Sequence, residues 1–202
     1  MADKRITQLN GLTSPADNDL FAVVDVSESE TKKVSYANLK DSLSNTLVPS
    51  AYISCYSTSS QQLQTSGSEQ PVTFTSVWTN SGVNLVSGSQ LVMEQAGTYK
   101  FSFVAQISNP DNAVHEAYFW VKYNGTNFPN STTQMTLPTR KDSGDASAQL
   151  MTVNIVGVAQ NNNDYIELWW TGDNTLLSLT ETPTFGPVPE TPSIIANIVR
   201  IG

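Results

Sequence analysis

Cysteine occurs once in this chain, at Cys55. An intrachain disulfide and a thiolate metal cluster are therefore both excluded. Histidine also occurs once, at His115. Zinc-protease chemistry of the HExxH kind has no raw material, and neither a P-loop nor a GxGxxG stretch is present. No apolar run approaches the roughly 20 residues with which a helix spans a bilayer. The opening MADKRITQ lacks the apolar core of a secretory signal, so the expectation is a protein made in a cytoplasm and kept out of membranes.

Charge is scarce too, at 14% of residues, and what there is leans acidic. Ten Lys and Arg face 18 Asp and Glu, for a net charge of -8 and a pI near 4.4. Nucleic acid and anionic lipid both demand clustered cations, so neither is an expected partner. Ser, Thr, Asn and Gln fill the gap left by charge. Such a surface suits β-proteins and large protein–protein contacts, whose cores are depleted in charge.

The chain changes character near Pro49. Before it, DLFAVVDV reads as a short strand and SESET as a polar turn. Tyr36, Leu39, Leu43 and Leu47 then follow helical spacing, with Ser35 placed as an N-cap. A stripe of four residues cannot hold an isolated helix, so this segment, 1–48, must pack on something else.

After Pro49 the period drops to two. In AGTYKFSFVAQIS, Tyr99, Phe101, Phe103, Ala105 and Ile107 point one way, and Lys100, Ser102 and Gln106 the other. EAYFWVKYNGTNF carries Asn124-Gly125, the strongest short hairpin signal. Eight to ten such strands, separated by polar, Gly- or Pro-bearing turns, predict an all-β antiparallel jelly-roll sandwich over 49–202.

Several strands are apolar on both faces. Tyr118 and Trp120 oppose Phe119 and Val121, Trp169 opposes Leu168 and Trp170, and Ile194 and Ile198 oppose Ile195, Val199 and Ile201. A sandwich strand needs only one buried face. The second face implies a subunit contact, for which Tyr118, Trp120, Trp169, Trp170 and Ile198 are the candidates; scattered exposed aromatics are the alternative.

Catalysis has little support. One histidine and one distant cysteine make no Ser–His–Asp or Cys–His set, and His115 falls on the face of Phe119 and Val121. The carboxylates Asp142 and Asp145 sit in a polar loop, RKDSGDAS. Glu116 and Glu167 have the placement of cross-strand neighbours, but glycoside hydrolysis needs a defined separation. DSGD and NNND offer oxygen ligands whose simpler reading is solvation. The expectation is a non-enzyme with neither cofactor nor catalytic residue. The loops NNND, RKDSGDAS and FGPVPETP are where a binding surface would lie.

AGTYKFSFVAQIS, the aromatic strand with its Asn-Gly turn, DYIELWWTGDNTLLSL and the closing PSIIANIVRIG together resemble the C1q/TNF-like trimeric jelly rolls, over about 51–202. The likeness is greatest to the versions in bacteriophage virion proteins. The opening ITQLNGL, ADNDLFAVVD and TKKVSYANL is similar to N-terminal segments of phage tail-fibre and capsid-decoration proteins, over 5–43. The resemblance implies a homotrimer located in the virion, with a major capsid protein or other virion protein held through Ile6, Leu9, Leu12, Leu20, Val34 and Leu39. It leaves three roles open: capsid decoration or head fibre; a tail fibre binding a host surface glycan or protein; and a polysaccharide-cleaving spike.

Overall fold

The computed structural model describes residues 14–47 and 51–202, and side chains of the first stretch as far as residue 43. The chain divides into two compact units, Met1–Val48 and Pro49–Gly202. Ile6, Leu9 and Leu12 lie outside the described residues.

In the first unit β1 (Leu20–Asp25) pairs antiparallel with β2 (Glu30–Ser35), Leu20 opposite Ser35 and Asp25 opposite Glu30. Only β1 is legible as a strand. The lysines of ETKKVS hide β2, which exists because β1 templates it. The Asp25 carboxylate closes the turn by accepting from the Ser27 hydroxyl and amide at 2.6 and 3.1 Å. α1 (Tyr36–Leu47) follows directly, and Ser35 Oγ accepts the Asn38 amide at 3.2 Å, the N-cap that the sequence predicts. The Phe21 and Tyr36 rings lie 6.3 Å apart.

The second unit runs β3 (Tyr52–Ser57), β4 (Gln61–Gln62), β5 (Gln70–Pro71), β6 (Ser76–Ser81), β7 (Val83–Val86), β8 (Gln90–Met93) and β9 (Gly97–Asn109). It continues with β10 (His115–Tyr123), β11 (Thr126–Asn127), β12 (Thr133–Leu137), β13 (Ser147–Ala159), β14 (Asp164–Gly172), β15 (Ser178–Leu179) and β16 (Ile194–Arg200). One sheet has the order β4-β15-β9-β16-β3-β6, with β13 on the other edge of β9. The second has the order β11-β10-β14-β8-β7, with β12 on β10 and β5 on β14. Successive long strands β9, β10, β13, β14 and β16 alternate between the sheets, and all pairs are antiparallel. This is an antiparallel, jelly-roll-like sandwich, the class that the period-two pattern predicts.

Between the sheets lie the predicted β9 face, Tyr99 to Ile107, and Phe119 stacked 5.9 Å from Trp170. Each such aromatic side chain contributes roughly 1.5–3 kcal/mol or more of transfer free energy. The Trp170 indole N–H finds no acceptor, a deficit of about 1–3 kcal/mol that burial must offset. Asn124 and Gly125 take φ of 47° and 78°, the conformation of the two-residue hairpin turn that the pair predicts. Gly97, at φ 153°, has no room for a side chain: a Cβ there would meet Arg200 Nε at 2.5 Å and the Gly202 carbonyl at 2.6 Å.

Candidate functional site

The subunit-contact candidates separate into two groups. Tyr118 and Trp120 alternate along β10 with buried Ala117, Phe119 and Val121, and so point outward. Trp169 does the same between Leu168 and Trp170 on β14. Register sets Trp120 directly opposite Trp169 and Tyr118 opposite Thr171. These three half-buried aromatics form one strip on the outer face of the β10–β14 sheet.

Trp170 and Ile198 do not belong with them. Both are fully buried within the single chain, Trp170 against Phe119 and Ile198 between Phe101 and Ile53 in register. No side-chain surface is left on either for a partner. Alternating apolar residues show that a strand has two apolar faces, but not which of them turns inward.

Polar side chains frame the strip. The Tyr118 hydroxyl donates to the Glu116 carboxylate, which also accepts Gln134 Nε2 at 2.8 Å. That hydrogen bond to Glu116 pushes the Tyr118 phenol up from its ordinary value. Trp120 Nε1 donates to Asn127 Oδ1 at 2.9 Å. Glu167 accepts Ser89 Oγ at 2.7 Å and Trp169 Nε1 at 3.3 Å. Lys122, opposite Glu167, places Nζ 3.7 Å over the Trp169 ring and 2.6 Å from Glu69 Oε1. Its ammonium is therefore paired both with a carboxylate and with a π face.

The outer face of the other sheet is built differently. Along β13, Leu150, Val156 and Val158 are 66%, 60% and 61% exposed, while Met151 and Val153 between them are buried. Val104 of β9, opposite Thr152, joins this row. β13 pairs with β9 along thirteen register positions, and among the described residues no strand pairs with its other edge. A long apolar edge is a template for association unless something covers it. Sequence reading missed these residues, although the signal (a strand apolar on both faces) is the same one that marked β10.

Other candidates resolve into structural roles. Glu116 stands opposite Asp173 and Glu167 opposite Lys122, so the two glutamates are not cross-strand neighbours. Six residues of strand separate the two positions, about 20 Å, against the roughly 5–9.5 Å that glycoside hydrolysis requires. His115 clamps two loops, with Nε2 2.9 Å from Asp111 and Nδ1 3.0 Å from Asp173. That contact and the Asn112 amide hold the Asp111 carboxyl below its usual range. Among the described residues no hydroxyl or thiol is hydrogen-bonded to the imidazole. Asp142 and Asp145 close a tight turn on each other.

Asp164, the aspartate of NNND, is buried and accepts from the Tyr123 hydroxyl, Asn124 Nδ2 at 2.8 Å and the Asn161 amide at 2.7 Å. Burial alone would raise its pKa; the hydrogen bonds outweigh burial and lower it. Cys55 is buried in the core, and desolvation pushes its thiol up to about 12. A small apolar pocket opens between the sheets beside Phe101, Val121, Phe128, Ile155 and Ile166. Among the described residues no helix is long and apolar enough to cross a membrane.

The strand order thus defines the class, a jelly-roll sandwich. No protein-family model matches the chain, and no curated protein matches it. Among solved structures it is similar to the crystal structure of murine APRIL at pH 5.0, with 10% identity and a TM-score of 0.46. That match covers 75% of this chain and 98% of that one.

Proposed function

We propose that this chain is a structural protein of a phage virion, a homotrimer that decorates the capsid or forms a head fibre, attached through its first unit to the major capsid protein or another virion protein. The observation that carries the attachment is the uncovered hairpin. Leu20, Ala22 and Val24 share one face of β1, and Leu20 and Val24 are 60% and 71% exposed. Val34 stands opposite Phe21, whose ring meets Tyr36, and Val34 and Leu39 are both half-buried, less open than the Leu20 row. A two-stranded hairpin with one short helix is marginal alone and gains stability from a surface that covers its apolar row. Three copies would bind such a surface jointly, raising avidity without new contacts.

Trimerisation is assigned to the β13 face rather than to the aromatic strip. The row Leu150, Val156, Val158 and Val104 has one charged neighbour, Lys100 opposite Val156, whereas the strip is threaded with Glu116, Lys122 and Glu167. Interface cores exclude charge, so the apolar face is the better subunit contact. A heterologous contact that closes after three copies makes a ring.

Two measurements test this reading. Light scattering on the full chain is expected to return three times the 21.9 kDa chain mass. Gold-labelled antibody against 51–202 is expected to decorate heads of intact particles. Label confined to tails would move the assignment to a tail fibre that binds a host surface, the reading that the aromatic strip favours. Absence of label from every particle would overturn the virion reading.

A further inference from the structure

We propose that the outer face of the β10–β14 sheet is a binding site for a neutral saccharide, with Trp120 as its stacking platform. The inference goes beyond the virion reading and does not rest on it, since it concerns the isolated protein.

A pyranose presents two chemistries at once. Its C–H faces are apolar and pack on aromatic planes, while its hydroxyls project around the ring edge and need both donors and acceptors. The face matches both. Trp120 lies opposite Trp169 and two residues from Tyr118, so the three aromatics share one strip, in which the Trp169 ring is already met by Lys122. Among the described residues no ring stacks on Trp120, while its indole N–H is fixed by Asn127. The platform is thus oriented before any ligand arrives, which removes an ordering cost on binding.

The rim carries hydrogen-bonding atoms that the protein itself leaves unused. Glu116 spends one carboxylate oxygen on Tyr118 and Gln134, so its other oxygen stays free among the described residues. Gln134 keeps its amide oxygen, Asn127 its amide N–H groups, and Glu69 the oxygen that does not meet Lys122. In each case the first bond fixes the side chain and leaves a spare donor or acceptor at the rim of the strip.

Charge selects among saccharides. Glu69 and Glu167 flank the Lys122 ammonium, which is already paired, Glu116 adds a carboxylate at the far end of the strip, and the chain as a whole carries -8. Phosphate, uronate and sialate groups would meet net repulsion, and a neutral glycan would not. The roughly 20 Å between Glu116 and Glu167 excludes that pair as a hydrolytic couple.

The test applies the full chain to an array of neutral oligosaccharides built from hexoses and N-acetylhexosamines, beside sialylated and phosphorylated ones. Retention on at least one neutral glycan is expected, with a shift of indole fluorescence. Trp120→Ala should weaken it about tenfold or more, the order expected from losing a stacked ring. Glu116→Gln, which keeps the shape of the face, should weaken it less. Unchanged melting and unchanged mass by light scattering would certify both variants.

Four results would overturn the proposal: no neutral glycan retained, retention of anionic glycans alone, binding indifferent to both variants, or a Trp120→Ala protein that changes its oligomeric mass. The last would return the strip to a subunit contact. None of the four bears on where the protein sits in a particle, which the antibody labelling decides separately.

Discussion

The two outer faces of the sandwich are made from the same kind of sequence and end up chemically opposite. On β13, large apolar residues recur outward with only Thr152 and Asn154 between them, at a free edge. On β10 and β14 the outward residues are equally large, but aromatic, and each neighbours a carboxylate, amide or ammonium that bonds to it. The first face can be satisfied only by removal from water. The second is already satisfied within the chain and retains spare polar atoms, so it suits a wet, exchangeable ligand. Exposed apolar area alone does not distinguish these fates; the polar groups around it do.

The sharpest contrast lies within one strand. Trp170→Ala should destabilise the fold by about 3–5 kcal/mol, the usual penalty for truncating a buried aromatic. Trp169→Ala, one residue earlier on the outer side, should lose far less. Urea titration of both variants measures this directly, and equal losses would mean that the outer strip is structural core.

A comparison of assembly comes next in size. Leu150→Glu combined with Val158→Glu should dissociate the proposed trimer, while Trp120→Glu should leave it intact. Sedimentation or light scattering at matched concentration decides between them, and the reverse pattern would exchange the roles assigned to the two faces.

Acid sensitivity tests the polar scaffold that holds the β10 hairpin. The folded pKa of Asp164 lies below its unfolded value, so its contribution is present above the unfolded value of about 3.9 and is lost as pH falls through the folded one. Asp164→Asn should therefore destabilise the protein by about 1.5–3 kcal/mol near neutrality, and the gap to the unaltered protein should close as pH falls from neutrality through the folded pKa. Melting curves across that range read the effect, and a constant gap would contradict it.

The smallest effect concerns neither face. Cys55, buried between them with its thiol pushed up to about 12, should resist a thiol reagent at neutral pH until denaturant is added.

Much of the architecture is legible because β-structure writes itself in period two. The β9 face from Tyr99 to Ile107 is buried as its alternation requires. Asn124-Gly125 makes its turn, and Ser35 caps α1. Where alternation places apolar residues on both sides, as in β14 and β16, local pattern loses its power. Trp169 and Trp170 are chemically identical, and so are Ile194 and Ile198, which both turn inward. The Glu116 and Glu167 positions failed for a related reason: register depends on pairing between distant strands, and a shift along the ladder changes every neighbour. Strand β2 was hidden because its lysines are tolerated on an exposed two-stranded ribbon.

The sequence by itself determined the class, an antiparallel sandwich with a distinct opening segment, excluded an intrachain disulfide and argued against nucleic acid and anionic lipid as partners. Those properties follow from composition and from contacts within a few residues. Only the tertiary structure decided which tryptophan is core, that Trp120 and Trp169 stand side by side, and that β13 carries an exposed apolar row beside an edge with which no described strand pairs. Each of these depends on which strands lie next to which, and that is set by the joint burial of residues far apart in the chain.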